Sequence, residues 1–316
     1  MDMIILNLLI FLISLIALAA SADILVRLSV SLAKRFRLSP LVIGATVVAI
    51  GTSFPELAVT ISSIAQKSGD LSLGNIIGSN IANIGLVFGA ALLFSPLKVG
   101  TAKTQRNNTF LLVVTVAFIF LQLAPYDVRR VLSPLLLLLA ILFIFLETVW
   151  GKEGSLKEDL LYLLPHSPAP FNLFKWLALI SSLAGLIISS NFLVSSALVI
   201  AAFFNISQEV VGLSIVAIGT SLPELSVSVA AAMKKEGKLL LGNVIGSNII
   251  NLTLLGSISV MFSNVSSSVH TLSLVALFLF TCAAFGVIKF YSGKVVGRWP
   301  GFVLLFSYLL YLFLVY

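Results

Sequence analysis

The sequence predicts an all-α integral membrane protein: ten transmembrane helices in two inverted five-helix repeats, with broken helices carrying an ion site at mid-membrane. Three observations predict it. The 316 residues are 59% hydrophobic and only 10% charged, whereas a soluble domain carries about 25% charged residues. The apolar residues form long unbroken runs such as LLLLLAILFIFLETVW (135–150), unlike the alternating strands of about 10 residues in a membrane barrel. And one polar heptapeptide, GTSFPEL at 51–57, returns as GTSLPEL at 219–225.

Polar breaks divide the chain into spans at 3–33, 39–66, 71–95, 107–124, 130–150, 173–204, 208–234, 239–262, 269–289 and 298–315. Most approach or exceed the ~20 residues that cross a bilayer, and the longer ones imply tilt or a break. The first span ends its apolar run in ALAASAD, which imitates a signal-peptide cleavage site. No Lys or Arg precedes it, so it reads as a retained helix. Asp23 and Arg27 within it are spaced i, i+4 and predict a local ion pair. The second and seventh spans carry the heptapeptide. The third and eighth carry GNIIGSNIAN (74–83) and GNVIGSNIIN (242–251). The remaining spans are plain hydrophobic helices. Between the fifth and sixth lies a polar stretch with GKEGSLKED and PHSPAP, read as a linker at 151–172 between repeats at 1–150 and 173–316.

Charge placement supports the span count. Fifteen of the 19 Lys and Arg follow odd-numbered spans, three lie on the other side, and Arg27 is inside the first span. By the positive-inside rule the odd loops are cytoplasmic and both termini extracellular, in the cell membrane. The net charge of +7 is thereby assigned to cytoplasmic loops, so no nucleic-acid partner is expected. Cys282 lies alone in an apolar span, which excludes an intramolecular disulfide. His166 and His270 lie near loops and are assigned no role.

The repeat has a fixed offset of 168 residues. Without a gap, 44–83 matches 212–251 at 23 of 40 positions, pairing Glu56 with Glu224, Ser79 with Ser247 and Asn83 with Asn251. Unrelated apolar helices would match Leu and Val; they would not match Gly, Thr, Ser, Pro, Glu and Asn in step. Five spans per half turn the second half upside down relative to the first. Inverted repeats are a mark of secondary transporters with a site where the halves meet.

The motif chemistry follows from its residues. Proline lacks an N–H and clashes with the carbonyl four residues earlier, so Pro55 frees the Gly51 carbonyl and Pro223 that of Gly219. A mid-span break is tolerable only against protein or a hydrated cavity. A mid-span carboxylate costs at least ~2.5–3.5 kcal/mol, and neither glutamate has a basic residue within a helical turn. Ser79 and Asn83 share one face of the next helix, and Gly74, Gly78, Gly242 and Gly246 form GxxxG spacings for close helix contact. The resulting donor set is all oxygen. That suits hard cations such as Ca2+ and Na+ and not Zn2+ or Cu+. Two facing glutamates carry −2, which matches one Ca2+.

These four motifs resemble those of the sodium/calcium exchanger family of the cation/calcium antiporter superfamily, its prokaryotic members above all. The resemblance implies that the second, third, seventh and eighth helices enclose the cation sites, and that Ca2+ leaves against inward Na+, about three Na+ per Ca2+, by alternating access. It implies no cofactor, since both ions are substrates, no enzymatic activity and no protein partner beyond the lipid bilayer. Residue by residue, it places Ca2+ ligands on Glu56, Glu224 and the carbonyls of Thr52 and Thr220. Na+ sites fall on Ala217, Thr220, Ser221 and Ser247, and on Ala49, Thr52, Ser53 and Ser79, with Asn83 and Asn251 at the middle position. It also makes the first and sixth helices the sliding elements. Some prokaryotic members and the potassium-dependent branch carry Asp where this chain has Asn251. Its loss leaves the cavity at −2, so exchange is expected to be electrogenic and K+-independent. The alternatives are an H+/Ca2+ antiporter on the same fold, an intramembrane enzyme using Glu56 as acid or base, and a channel.

Overall fold

The computed structural model describes residues 2–36, 38–65, 69–99, 101–150, 172–203, 217–262 and 271–315. Within them the chain is helical apart from one two-stranded ladder. Helix α1 is Asp2–Phe36; α2 spans Pro40–Thr52 through a wide π-helical turn at Gly44–Val48, and α3 is Phe54–Ala65. Helix α4 runs from Gly69–Ala82 through a wide π-helical turn, Asn83–Phe88, into Gly89–Phe94. Then come α5 (Ala102–Leu123), α6 (Tyr126–Trp150), α7 (Leu173–Phe203), α8 (Ala217–Thr220) and α9 (Leu222–Met233). Helix α10 is Gly237–Ile250, continuing through a wide turn that matches the one in α4, Asn251–Leu255, into Gly256–Phe262; α11 is Thr271–Phe290 and α12 Arg298–Val315.

Eight described helices are long and apolar enough to cross a membrane, nine when the bent pair α2–α3 is taken as one span. The seventh expected span, 208–234, is described only from Ala217. The expected linker, 151–172, and both histidines at 166 and 270 lie outside the described residues save for Asn172.

Burial sorts the helices into a centre and a rim. In their most apolar windows α10 is 83% and α4 78% buried, against 11% for α1 and 17% for α12. The two central helices are those with the GN motifs; the rim exposes Leu, Ile, Phe and Val to the surroundings, as lipid-facing helices do. Helices α1 and α7 pack along each other at the periphery, with Ser21 against Gly185. The Asp23–Arg27 pair is present at 2.8 Å, and Lys234, just after α9, also pairs with Asp23. Strands β1 (Leu97–Lys98) and β2 (Val295–Val296) pair antiparallel, Leu97 opposite Val296. They join two loops that charge placement assigns to the same face.

A buried ion pair links α5 to α6. The Arg106 guanidinium donates to Glu147, which is fully buried, and to Asn107 Oδ1 at 3.1 Å. Breaking such a pair from one side strands a charge. Arg106→Leu alone is therefore expected to destabilise the protein by about 3–5 kcal/mol, while replacing both residues by Leu recovers most of that loss. Denaturation of the two variants in detergent micelles checks this.

Candidate functional site

Two matched breaks build the site. At Ser53 the backbone leaves regular helix geometry (φ −81°, ψ 9°), and Ser221 does so in nearly the same way (φ −90°, ψ 6°). A new helix starts at the next residue in each case, with Pro55 or Pro223 second in it. In that first turn the proline's missing N–H interrupts no hydrogen bond within the new helix. The α2–α3 break bends the span by 41°. Each break sets its glutamate in the first turn of the following helix, Glu56 in α3 and Glu224 in α9.

Both carboxyls are 0% exposed, and Thr52, Ser53, Ser79, Asn83, Thr220, Ser221, Ser247, Asn251 and Ala49 are buried with them. Ala217 opens α8, and its side-chain surroundings lie outside the described residues. The two halves interlock here. Ser53 Oγ donates to Glu224 Oε1 at 3.3 Å, and the Ser79 and Thr220 hydroxyls meet at 3.4 Å. Thr52 Oγ1 donates to Asn243 Oδ1 at 3.2 Å; at the equivalent place Thr220 Oγ1 donates to Asn75 Oδ1 at 3.5 Å. The two glutamates are near enough to repel one another, with Ser79 beside Glu56 and Thr52 beside Glu224.

Close backbone approach makes this possible. A Cβ on Gly242 would lie 2.2 Å from the Leu41 carbonyl oxygen, and one on Gly246 would lie 2.6 Å from Ala45 Cα. The GxxxG spacing in α10 thus seats it on α2, as its sequence predicts. The residues that would pack on Gly74 and Gly78 in the same way, 209–213, are outside the described set.

Polar atoms at the centre exceed their partners. Among the described residues, both oxygens of Glu56, Oε2 of Glu224, the hydroxyls of Ser221 and Ser247, and both amide atoms of Asn83 and Asn251 make no hydrogen bond. Each orphaned buried group costs about 1–3 kcal/mol, so a cluster of them fits a cation better than it fits a sealed core. Unlike Glu147, neither glutamate has a basic partner among the described residues.

The carbonyl of Gly219, which Pro223 frees, is paired within the protein: Ser190 of α7 donates to it at 2.9 Å.

The sodium/calcium exchanger protein family matches residues 6–149 and again 174–316. The chain belongs to the sodium/calcium exchanger family. Among this exchanger's relatives is the sodium/calcium exchanger MaX1 of Methanosarcina acetivorans, 32% identical, the match covering 98% of each chain. The putative antiporter CaxA of Alkalimonas amylolytica is 40% identical over 76% of each. The solved structure of the sodium-calcium exchanger NCX_Mj soaked with Na+ and Sr2+ superposes with a TM-score of 0.82, at 31% identity and 97% coverage of both chains. The family is one of membrane transporters, and the exchanger is accordingly membrane-embedded.

Reasoning from the sequence missed Asn75, Asn243 and Ser190. The first two had a signal: they sit at the 168-residue offset within the repeated GN motif. Ser190 had none, since Ala22 occupies its equivalent place in the first half.

Proposed function

We propose that the exchanger moves Ca2+ against Na+ by alternating access, with Glu56 and Glu224 sharing the cation and Thr52, Thr220, Ser53, Ser221, Ser79, Ser247, Asn83, Asn251, Ala49 and Ala217 completing its sites. The observation that carries this reading is the pair of fully buried carboxyls, one from each half, surrounded by oxygens without hydrogen-bond partners. An empty site holds two repelling charges and resists changing sides; a loaded one is neutral or better and can move. The matched breaks, matched wide turns and matched threonine–asparagine bonds support two inverted repeats, 1–150 and 173–316, joined at 151–172; the alternation of basic residues along the chain supports ten spans and both termini extracellular. The names of the relatives support Na+ as the coupling ion, and so do the hydroxyl-rich surroundings. Asn251 leaves the site at −2, which makes the exchange electrogenic and independent of K+.

The test is sided flux. In Na+-loaded vesicles, an inside-positive potential is expected to accelerate 45Ca2+ uptake, because net positive charge leaves with Na+. Moving one charge through 100 mV is worth about 2.3 kcal/mol. Rates indifferent to the potential would refute the charge count. Uptake driven by a pH gradient without Na+ would select proton coupling instead, and a K+ requirement would overturn the role given to Asn251.

A further inference from the structure

The oxygen-lined face of α3 does not stop at Glu56. Thr60 and Ser63 follow at helical spacings of four and seven residues, on the same face. On α4, Asn75 and Ser72 precede Ser79 by four and seven. Helices α3 and α4 pack together, α3 ending at Ala65 and α4 starting at Gly69, and so run antiparallel. With Ser79 beside Glu56, Thr60 is level with Asn75 and Ser63 with Ser72. The second half repeats the pattern and then drops it. Ser228 stands level with Asn243 and bonds to it at 3.2 Å, but the next pair outward is Ala231 and Leu240.

The three hydroxyls on this face of α3 and α4 depart from the usual pattern. A buried Ser or Thr in a helix ordinarily bonds back to a carbonyl three or four residues earlier. Thr46, Ser182, Ser196, Thr253 and Thr281 all do so. Thr60, Ser63 and Ser72 are at most 1% exposed, yet among the described residues none of their oxygens has a hydrogen-bond partner, and neither has Asn75 Nδ2. Buried, unpartnered oxygens on two helices that pack together, on the same faces as Glu56 and Ser79, are arranged to receive a positive ion.

We infer that Thr60, Ser63 and Ser72 form an uncharged cation-binding step on the α3–α4 side of the glutamates, taking a partly hydrated hard cation as it passes to or from that membrane face, and that the α9–α10 side has no such step. Ser63 is seven residues from Glu56, about 10 Å along the helix at 1.5 Å per residue. An ion held there is past the carboxylate site and nearer the surface. Its hydration shell can be exchanged for hydroxyls in stages on this side. On the other side Ala231 and Leu240 offer none, and the shell must be shed at once. The inference rests on the proposed cation site at the glutamates.

The experiment gives the first half the second half's residues. S63A/S72L is reconstituted in vesicles of known orientation, and the half-saturating 45Ca2+ concentration is measured from each face. The value at the α3–α4 face is expected to rise about tenfold, the scale of one lost oxygen to a charged group, with the opposite face unchanged. Equal changes at both faces, or none, overturn the inference. Should the double variant fail to fold, S63A alone, which removes one atom, is read by the same criterion. Transport that survives Glu56→Gln would overturn the underlying site as well. Transport abolished by Glu56→Gln but untouched by S63A/S72L removes only the outer step.

Discussion

Exchanging Glu56 or Glu224 for Gln is expected to abolish 45Ca2+ transport in reconstituted vesicles while the protein still elutes as a folded species. The amide keeps the shape of the carboxylate and is cheaper to bury, so the fold should not suffer. The site loses half of its −2 charge. Removing one partner from a buried charge pair costs about 2–5 kcal/mol, or roughly 30- to 4,000-fold in affinity. Because the two side chains occupy equivalent places and are buried alike, the two variants should fail alike. Retained transport in both would refute the site, and failure of only one would refute the sharing of the ion between halves.

The second large effect concerns backbone rather than charge. Gly242→Ala adds a Cβ that meets the Leu41 carbonyl oxygen at 2.2 Å, the Ala45 nitrogen at 2.8 Å and Gly44 Cα at 3.0 Å. None is the end of a side chain that could turn aside, so α10 and α2 must separate. Overpacking costs about 1–3 kcal/mol and sometimes more. Separation also pulls Thr52 from Asn243, a 3.2 Å bond, and displaces the break that positions Glu56. The expected result is loss of transport together with a lowered melting temperature. Gly286→Ala is the control: no described atom lies within 4 Å of its added Cβ, and it should be neutral or slightly stabilising, since Ala suits a helix interior better than Gly. Equal behaviour of the two variants would refute the close approach.

The helices and their polar centre were legible because membrane burial writes itself plainly. Long apolar runs leave few alternatives, and Glu56 and Glu224 stand out where charge is costly. The breaks at Ser53 and Ser221 were legible from Pro55 and Pro223. The freed Gly219 carbonyl was found, but its partner Ser190 was not, because nothing local tells which helix will pass beside it. The Arg106–Glu147 pair was hidden for the same reason: its members are 41 residues apart in the chain. The wide turns beginning at Asn83 and Asn251 were not legible either. Their residues would serve a regular helix equally well, and neighbouring helices decide the winding.

Those wide turns also bear on which length changes the chain can survive. Each accommodates one residue more than a regular helix of the same height, and the two occur at equivalent positions in α4 and α10. Deleting a single residue from either would restore ordinary winding over the same height and leave the helix beyond it in register, whereas a deletion in the regular turns on either side would rotate everything beyond it by about 100°. Single-residue deletions are therefore tolerated at Asn83–Phe88 and at Asn251–Leu255 independently, and nowhere else in the buried lengths of α4 and α10.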